Sequence, residues 1–155
     1  MPKANIGMPT GAASGLVVVD GNASQSAGAT GHGGLLVVHG DAAARCGISM
    51  KGIDIVVRGS VGHLSGFMAQ TGCLVVCGDA GEALGDSIYE ARLYVRGSVA
   101  SLGADCVEKE LRDEHVDEVA RLLDAAEVDL DPRQFRRYGS ARRLYNFSID
   151  NAGAY

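Results

Sequence analysis

Tryptophan is absent from the 155 residues, the aromatic residues together make up only 5%, and there are 3 prolines. So few rings leave little surface for stacking sugars. Positive charge is also scarce, with Lys+Arg at 14 against Asp+Glu at 19 and a net charge of -5. That balance supplies no concentrated positive field for a nucleic acid or an anionic membrane. No apolar run approaches the roughly 20 residues of a membrane-spanning helix, and no basic stretch followed by an apolar run opens the sequence. The expectation is a soluble, cytoplasmic protein. The four cysteines, Cys46, Cys73, Cys77 and Cys106, are too few and too irregularly spaced for a secreted disulfide framework, so reduced thiols are expected. The length suits one domain and leaves no room for two full catalytic domains.

What the chain has in excess is glycine, 22 residues, about twice the usual share of roughly 7%. The glycines are periodic. Val-Asp-Gly-Asn at Val19, Val-His-Gly-Asp at Val38, Val-Arg-Gly-Ser at Val57, Val-Cys-Gly-Asp at Val76 and Val-Arg-Gly-Ser at Val95 place Gly21, Gly40, Gly59, Gly78 and Gly97 at intervals of 19. A second column, Gly28, Gly47, Gly66 and Gly85, follows seven residues later, and Gly15, Gly34 and Gly72 lie near the start of apolar runs. Each repeat holds one short apolar run and no 3.6-residue periodicity, which excludes helical repeats. Leucine-rich repeats would need their spaced leucines, and the hexapeptide helix needs units of six. The remaining solution is a parallel β-helix, predicted right-handed, in which each repeat is one coil and the glycine columns mark corners.

Strand alternation assigns the faces. Inward pairs are Val17/Val19, Leu36/Val38, Ile55/Val57, Leu74/Val76 and Leu93/Val95, all aliphatic. Between them, pointing outward, lie Val18, Val37, Val56, Val75 and Tyr94, an apolar stripe that a freely soluble solenoid should not expose. Its neighbours Asp20, His39, Arg58, Cys77 and Arg96 are mostly polar and suit the rim of a contact surface. Either a later part of the chain or a partner protein should cover the stripe.

The repeat stops at Gly103-Ala104, dividing a β-helix over 1–104 from a helical and Arg/aromatic-rich tail over 105–155. Asp105 with Glu108 has the spacing of a capping box, and Val107, Leu111, Val119, Leu122, Leu123 and Ala126 form the apolar face of a helix running to about residue 127. Asp131-Pro132 opens a second short helix predicted to end at Tyr138-Gly139. Five arginines (Arg133, Arg136, Arg137, Arg142, Arg143) and four aromatic rings crowd the segment 133–147. Such a mixture is enriched among interface anchors, while a solvated tail is the plainer alternative. An RNA-binding reading lacks any recognised module.

Candidate chemistry is sparse. Cys73 and Cys77, four apart on one strand, stand roughly 13 Å apart and cannot share a metal. His32, His39, His63 and His115 are scattered, and no cysteine cluster suits iron–sulfur ligation. The glycine-rich run Gly28-Ala-Thr-Gly31-His-Gly33-Gly34 leads into a strand rather than opening a helix, against a phosphate loop. Asp41 and Asp79 hold the same repeat position two coils apart, about 10 Å between backbones, close to the spacing of an inverting glycosidase pair. Asn22, Ser60 and Ser98 fill the other rungs, however, and all are ordinary turn formers.

These glycine columns, with Gly28-Ala-Thr-Gly31, Arg45-Cys-Gly47-Ile-Ser-Met-Lys-Gly52 and Gly78-Asp-Ala-Gly81-Glu-Ala-Leu-Gly85-Asp, resemble the GXGXG β-helix domain of the glutamate synthase large subunit, a domain similar to one in formylmethanofuran dehydrogenase. The runs Leu102-Gly-Ala-Asp-Cys-Val-Glu-Lys-Glu110 and Arg136-Arg-Tyr-Gly-Ser-Ala-Arg-Arg-Leu-Tyr-Asn-Phe147 look most like separately encoded glutamate-synthase-like proteins, including the β-helix subunit of N-methylglutamate synthase. The resemblance implies a non-catalytic scaffold, with no catalytic, cofactor or metal residue in this chain. It implies partners: a class II glutamine amidotransferase subunit and a flavin-containing synthase subunit that carries FMN and an iron–sulfur cluster. Docking then falls to Val18, Val37, Val56, Val75, Tyr94, Arg136, Arg137, Arg142 and Arg143. Family members usually carry further coils before the point matching Gly15, so the first strand is expected to need a cover. A stand-alone oligomeric scaffold and a polysaccharide-acting enzyme using Asp41 and Asp79 are the alternatives.

Overall fold

A computed structural model describes residues 15–31 and 33–142. Within them the chain winds as a parallel β-solenoid. Strands β1 (Leu16–Val19), β2 (Leu35–Val38), β3 (Lys51–Val57), β4 (Thr71–Val76) and β5 (Arg92–Val95) stack in sequence order, all parallel. The register is the sequence period: Val18 pairs with Val37, Val37 with Val56, Val56 with Val75 and Val75 with Tyr94. One bulge interrupts it, between Lys51 and Asp54. A second ladder of parallel bridges joins Ala23, Ala42, Val61, Ala80 and Val99.

All ten residues assigned inward by alternation pack in one core with Met50, Ile53, Leu84 and Ile88, Val17 at its edge being only partly buried. Leu36, Ile55, Leu74 and Leu93 are fully enclosed. Aliphatic side chains repeat at one position because stacked coils present the same site to the same neighbours every 19 residues, and a wider or polar side chain would leave its gap or its unpaired group in a dry interior.

The two glycine columns have different physical causes. Gly28, Gly47, Gly66 and Gly85 have left-handed backbone, φ +70 to +74, as corner residues should. Gly40, Gly59, Gly78 and Gly97 do not; there the coils come too close for a side chain. Each donates its N–H to the glycine one coil earlier, at 2.8–3.0 Å, and a Cβ on Gly59 or Gly78 would lie 2.8 or 2.7 Å from that glycine's carbonyl oxygen.

Two further columns are left-handed without glycine: Ser26, Arg45, Leu64 and Ala83, and Thr30, Ser49, Met68 and Ser87, with φ between 54 and 63. Side chains there cost about 1–2 kcal/mol each. The solenoid holds them through inter-coil hydrogen bonds: Leu64 donates to the carbonyl of Glu82 at 2.9 Å and Met68 to that of Asp86 at 2.8 Å.

The C-terminal segment departs from its expected form. Asp105 is left-handed, φ +65, and caps no helix; the residues after it form β6 (Cys106–Lys109). Cys106 enters the solenoid core, which a helix beginning at Asp105 would not allow. The helix, α1 (Asp113–Ala125), starts later. Arg112 N–H donates to His115 Nδ1 at 3.1 Å, a histidine standing where a capping box has Glu or Gln, and Asp113 and Glu114 favour the positive helix start. The helix ends in a Schellman turn whose left-handed residue is Glu127, with Val128 N–H bonded to the Leu123 carbonyl at 2.9 Å.

The second short helix begins as predicted, Asp131 accepting from Arg133 N–H at 2.9 Å, but it is a single 3-10 turn, Pro132–Gln134. Arg136–Ser140 is instead a strand, β7. It pairs antiparallel with β5 and with β6, closing the sheet order β1-β2-β3-β4-β5-β7-β6. Reversing direction ends the parallel stack and places Tyr138 over the last coil's core.

Candidate functional site

The outward stripe is the face where this molecule concentrates buried side chains outside its solenoid core. Val37, Val56, Val75 and Tyr94 are enclosed against Val119, Leu122, Leu123, Ala126, Val128 and Phe135. Of the two covers the sequence allowed, α1 and its following turn are the one present. This corrects the expectation that Val37, Val56, Val75 and Tyr94 dock a partner, since they are at most 1% exposed beneath the chain's own helix. Val18, on β1, is half-buried at the margin of that cluster.

Beside the apolar contact runs a polar row built from neighbouring strands: Asp54 on β3, Cys73 on β4 and Arg92 on β5, paired residue to residue. Glu118, on the helix face turned toward them, accepts two hydrogen bonds from Arg92, from Nε and Nη2, both at 2.8 Å. Tyr94 donates its hydroxyl to the same carboxylate at 2.6 Å. Burial would raise Glu118, but the hydrogen bonds from Arg92 and Tyr94 outweigh it and hold the carboxyl at about 2. Burial and the Glu118 charge push the Tyr94 phenol well above its usual range. This lattice fixes the helix azimuth on the sheet, and a carboxyl held at about 2 by its hydrogen bonds is a weak base.

The thiols are not nucleophiles. All four are free and buried. Burial raises Cys46 and Cys106 to about 12 and Cys77 to about 11, the last despite Arg96 and Arg58 nearby. Cys73 is raised further still, by burial and the adjacent Glu118. Uncharged thiols have little reactivity or affinity for metal. Among the described residues no group of three or more His, Cys, Asp or Glu is placed to hold a metal ion.

The remaining candidates have structural work. Asp41 Oδ1 accepts the Ser60 N–H and Asp79 Oδ1 the Ser98 N–H, each at 2.8 Å. Asn22 and Ser60 do the same for Asp41 and Asp79 at 2.7 and 2.8 Å. The Asn/Asp/Ser column is therefore one ladder of acceptors, each holding the backbone of the next coil, and carboxylate and hydroxyl serve alike. In the glycine-rich run, the N–H groups of Ala29, Thr30 and Gly31 bond to carbonyls of Ser26, Ile48 and Gly28, so they do not converge on an oxyanion. His32 lies outside the described residues.

The arginine segment divides. Arg137 is buried, with Nε on the Glu110 carbonyl at 2.8 Å. Arg142 donates to the Ile88 carbonyl at 3.0 Å, lies over the Tyr89 ring at 5.0 Å, and sets Nε 3.6 Å from Asp105 Oδ2. Both tie β7 to the solenoid rather than standing free to dock. Arg136 is exposed, and Arg143 lies outside the described residues. Sequence reasoning missed Glu118 entirely; its signal was an arginine, Arg92, in a column otherwise filled by Leu16, Leu35, Asp54 and Cys73.

No helix among the described residues is long and apolar enough to cross a membrane. No family model matches the chain, and no solved structure matches it. A curated protein of Rhizobium meliloti (strain 1021), Protein GlxC, is 65% identical over 96 residues, which is 61% of this chain and 42% of the relative. The chain thus spans less than half the length of the relative it matches.

Proposed function

We propose that the chain is a non-catalytic structural and docking subunit of a glutamate-synthase-like oxidoreductase complex, of which N-methylglutamate synthase is the nearest type. Its β-helix spaces an amidotransferase part from a flavin part. FMN and the iron–sulfur cluster belong to the flavin partner, and glutamine is handled by the amidotransferase. The observation that carries this reading is the engagement of the solenoid's regularly placed polar groups in holding its own coils together, as in the ladder from Asn22 through Asp79. That ladder also weighs against the polysaccharide-cleaving alternative, because its two carboxylates already hold backbone N–H groups. The glycine period and the similarity to Protein GlxC support the glutamate-synthase-like relation.

With the apolar stripe covered, docking passes to exposed polar surface. Arg136, Arg133, Arg96 and Arg58 are exposed; Arg96 reaches Gln134 at 3.0 Å, beside Arg133, and Arg136 pairs with Val95 next to Arg96. In a chain of net charge -5 this basic edge suits an acidic partner surface. Gentle isolation of the tagged chain, with mass spectrometry and a visible spectrum of the eluate, tests the reading. A yellow or brown complex containing a flavoprotein and an amidotransferase is expected. A colourless, single-component oligomer would replace it with the stand-alone scaffold.

A further inference from the structure

The outward row of the sheet does not stop at Tyr94. Arg137 of β7 lies opposite Tyr94, and Lys109 of β6 lies opposite Arg137. Valines thus give way to two adjacent cations, and like charges facing each other across paired strands repel. The next outward position on β7 is Gly139, over which the Lys109 side chain lies, its Nζ 3.8 Å from where a Cβ would stand. Between these groups opens a shallow cleft lined by Arg92, Lys109, Arg137, Gly139, Ser140 and Glu90, among others.

The cleft holds more positive charge than its own acids answer. Arg92 is neutralised by both oxygens of Glu118. Arg137 gives Nε to a neutral carbonyl, and among the described residues its Nη groups take no acceptor and Lys109 forms no ion pair. Glu90 is engaged with a partner of its own. Burial lowers Lys109 and the Arg137 charge lowers it further. Ser140 contributes no hydroxyl to this face: it lies on the side of β7 shared with Tyr138 and its pairing partner Cys106, both in the core, and its Oγ accepts the Arg142 N–H at 3.1 Å.

We infer that this cleft is a binding site for a small oxyanion, a carboxylate or a phosphate, held by Lys109 and the Nη donors of Arg137. The planar guanidinium offers parallel donors to such a group, and Lys109 adds a point charge. An anion there would relieve the repulsion between the two cations, which is the source of its selectivity for negative charge.

The test is a titration of the full chain, isotopically labelled, with sodium acetate and separately with inorganic phosphate, each against sodium chloride at matched ionic strength. The side-chain NMR signals of Lys109 and Arg137 are followed. Saturable shifts with either oxyanion and not with chloride are expected, acetate selecting the carboxylate form and phosphate the other. Lys109→Gln should weaken the affinity at least tenfold, whereas Lys51→Gln, at an exposed lysine of β3, should leave it unchanged; thermal melts establish that both variants are folded. Linear shifts common to all three salts, or equal affinity in the folded Lys109→Gln chain, would overturn the assignment.

Discussion

Replacing Val56 by aspartate asks whether the outward stripe is a helix seat or an open face. Val56 is fully buried, in contact with the α1 cluster. The substitution forfeits about 1.5–3 kcal/mol of apolar burial and puts a carboxylate into a cluster built of apolar side chains. An uncompensated buried charge costs about 3–5 kcal/mol, a large share of the roughly 5–15 kcal/mol that holds a domain together. Because coils of a solenoid can open separately, the assay is amide hydrogen exchange resolved by segment. Protection over 113–125 should fall at least a hundredfold, since about 1.4 kcal/mol is a factor of ten, while β4 and β5 keep more of theirs. Protection in the helix unchanged from the parent chain would refute the seat and return the stripe to a partner.

Other outcomes follow from the same geometry. Glu118 has a folded pKa of about 2 against an ordinary 4.5, so its stabilisation is present above about pH 4.5 and is lost as pH falls toward 2; urea midpoints across that window should decline in the parent chain and flatten in Glu118→Gln. Gly59→Ala forces a Cβ against the Gly40 carbonyl and should cost about 1–3 kcal/mol in a thermal melt. Gly21→Ala, where nothing lies within 4 Å, should stay within about 0.5 kcal/mol. Asp41→Ala removes the acceptor for Ser60 N–H and should cost about 0.5–1.5 kcal/mol, with Asp41→Asn restoring most of it, because the ladder needs an oxygen and not a charge.

The solenoid was legible because its information is periodic. A 19-residue step sets register, core and glycine positions together, and the inward pairs from Val17/Val19 to Leu93/Val95 follow from alternation alone. The apolar stripe also announced that something must cover it, and the face from Val119 to Ala126 supplied the material. That helix starts later than the capping pattern of Asp105 and Glu108 predicts, because Cys106 gains more by entering the core and pairing as strand. The strand β7 was hidden for a similar reason: Arg136-Arg137-Tyr138-Gly139-Ser140 has no clean alternation, and its pairing partner β5 lies some forty residues earlier. The left-handed Leu64 and Met68 carried no signal, since their conformation is imposed by hydrogen bonds to the next coil. Arg137 and Arg142 looked like interface anchors by composition, and only the fold shows them anchoring β7 to this same chain.

The role proposed for this chain is to organise chemistry done elsewhere. It is tested by assembling the complex with and without the chain and assaying glutamine hydrolysis, flavin reduction and glutamine-dependent amino-acid synthesis separately. Both partial reactions should survive its omission while the coupled synthesis is lost, and adding the folded chain back should restore coupling. Loss of either partial reaction on omitting the chain, reproduced by substituting one of its polar side chains in the folded assembly, would contradict that role.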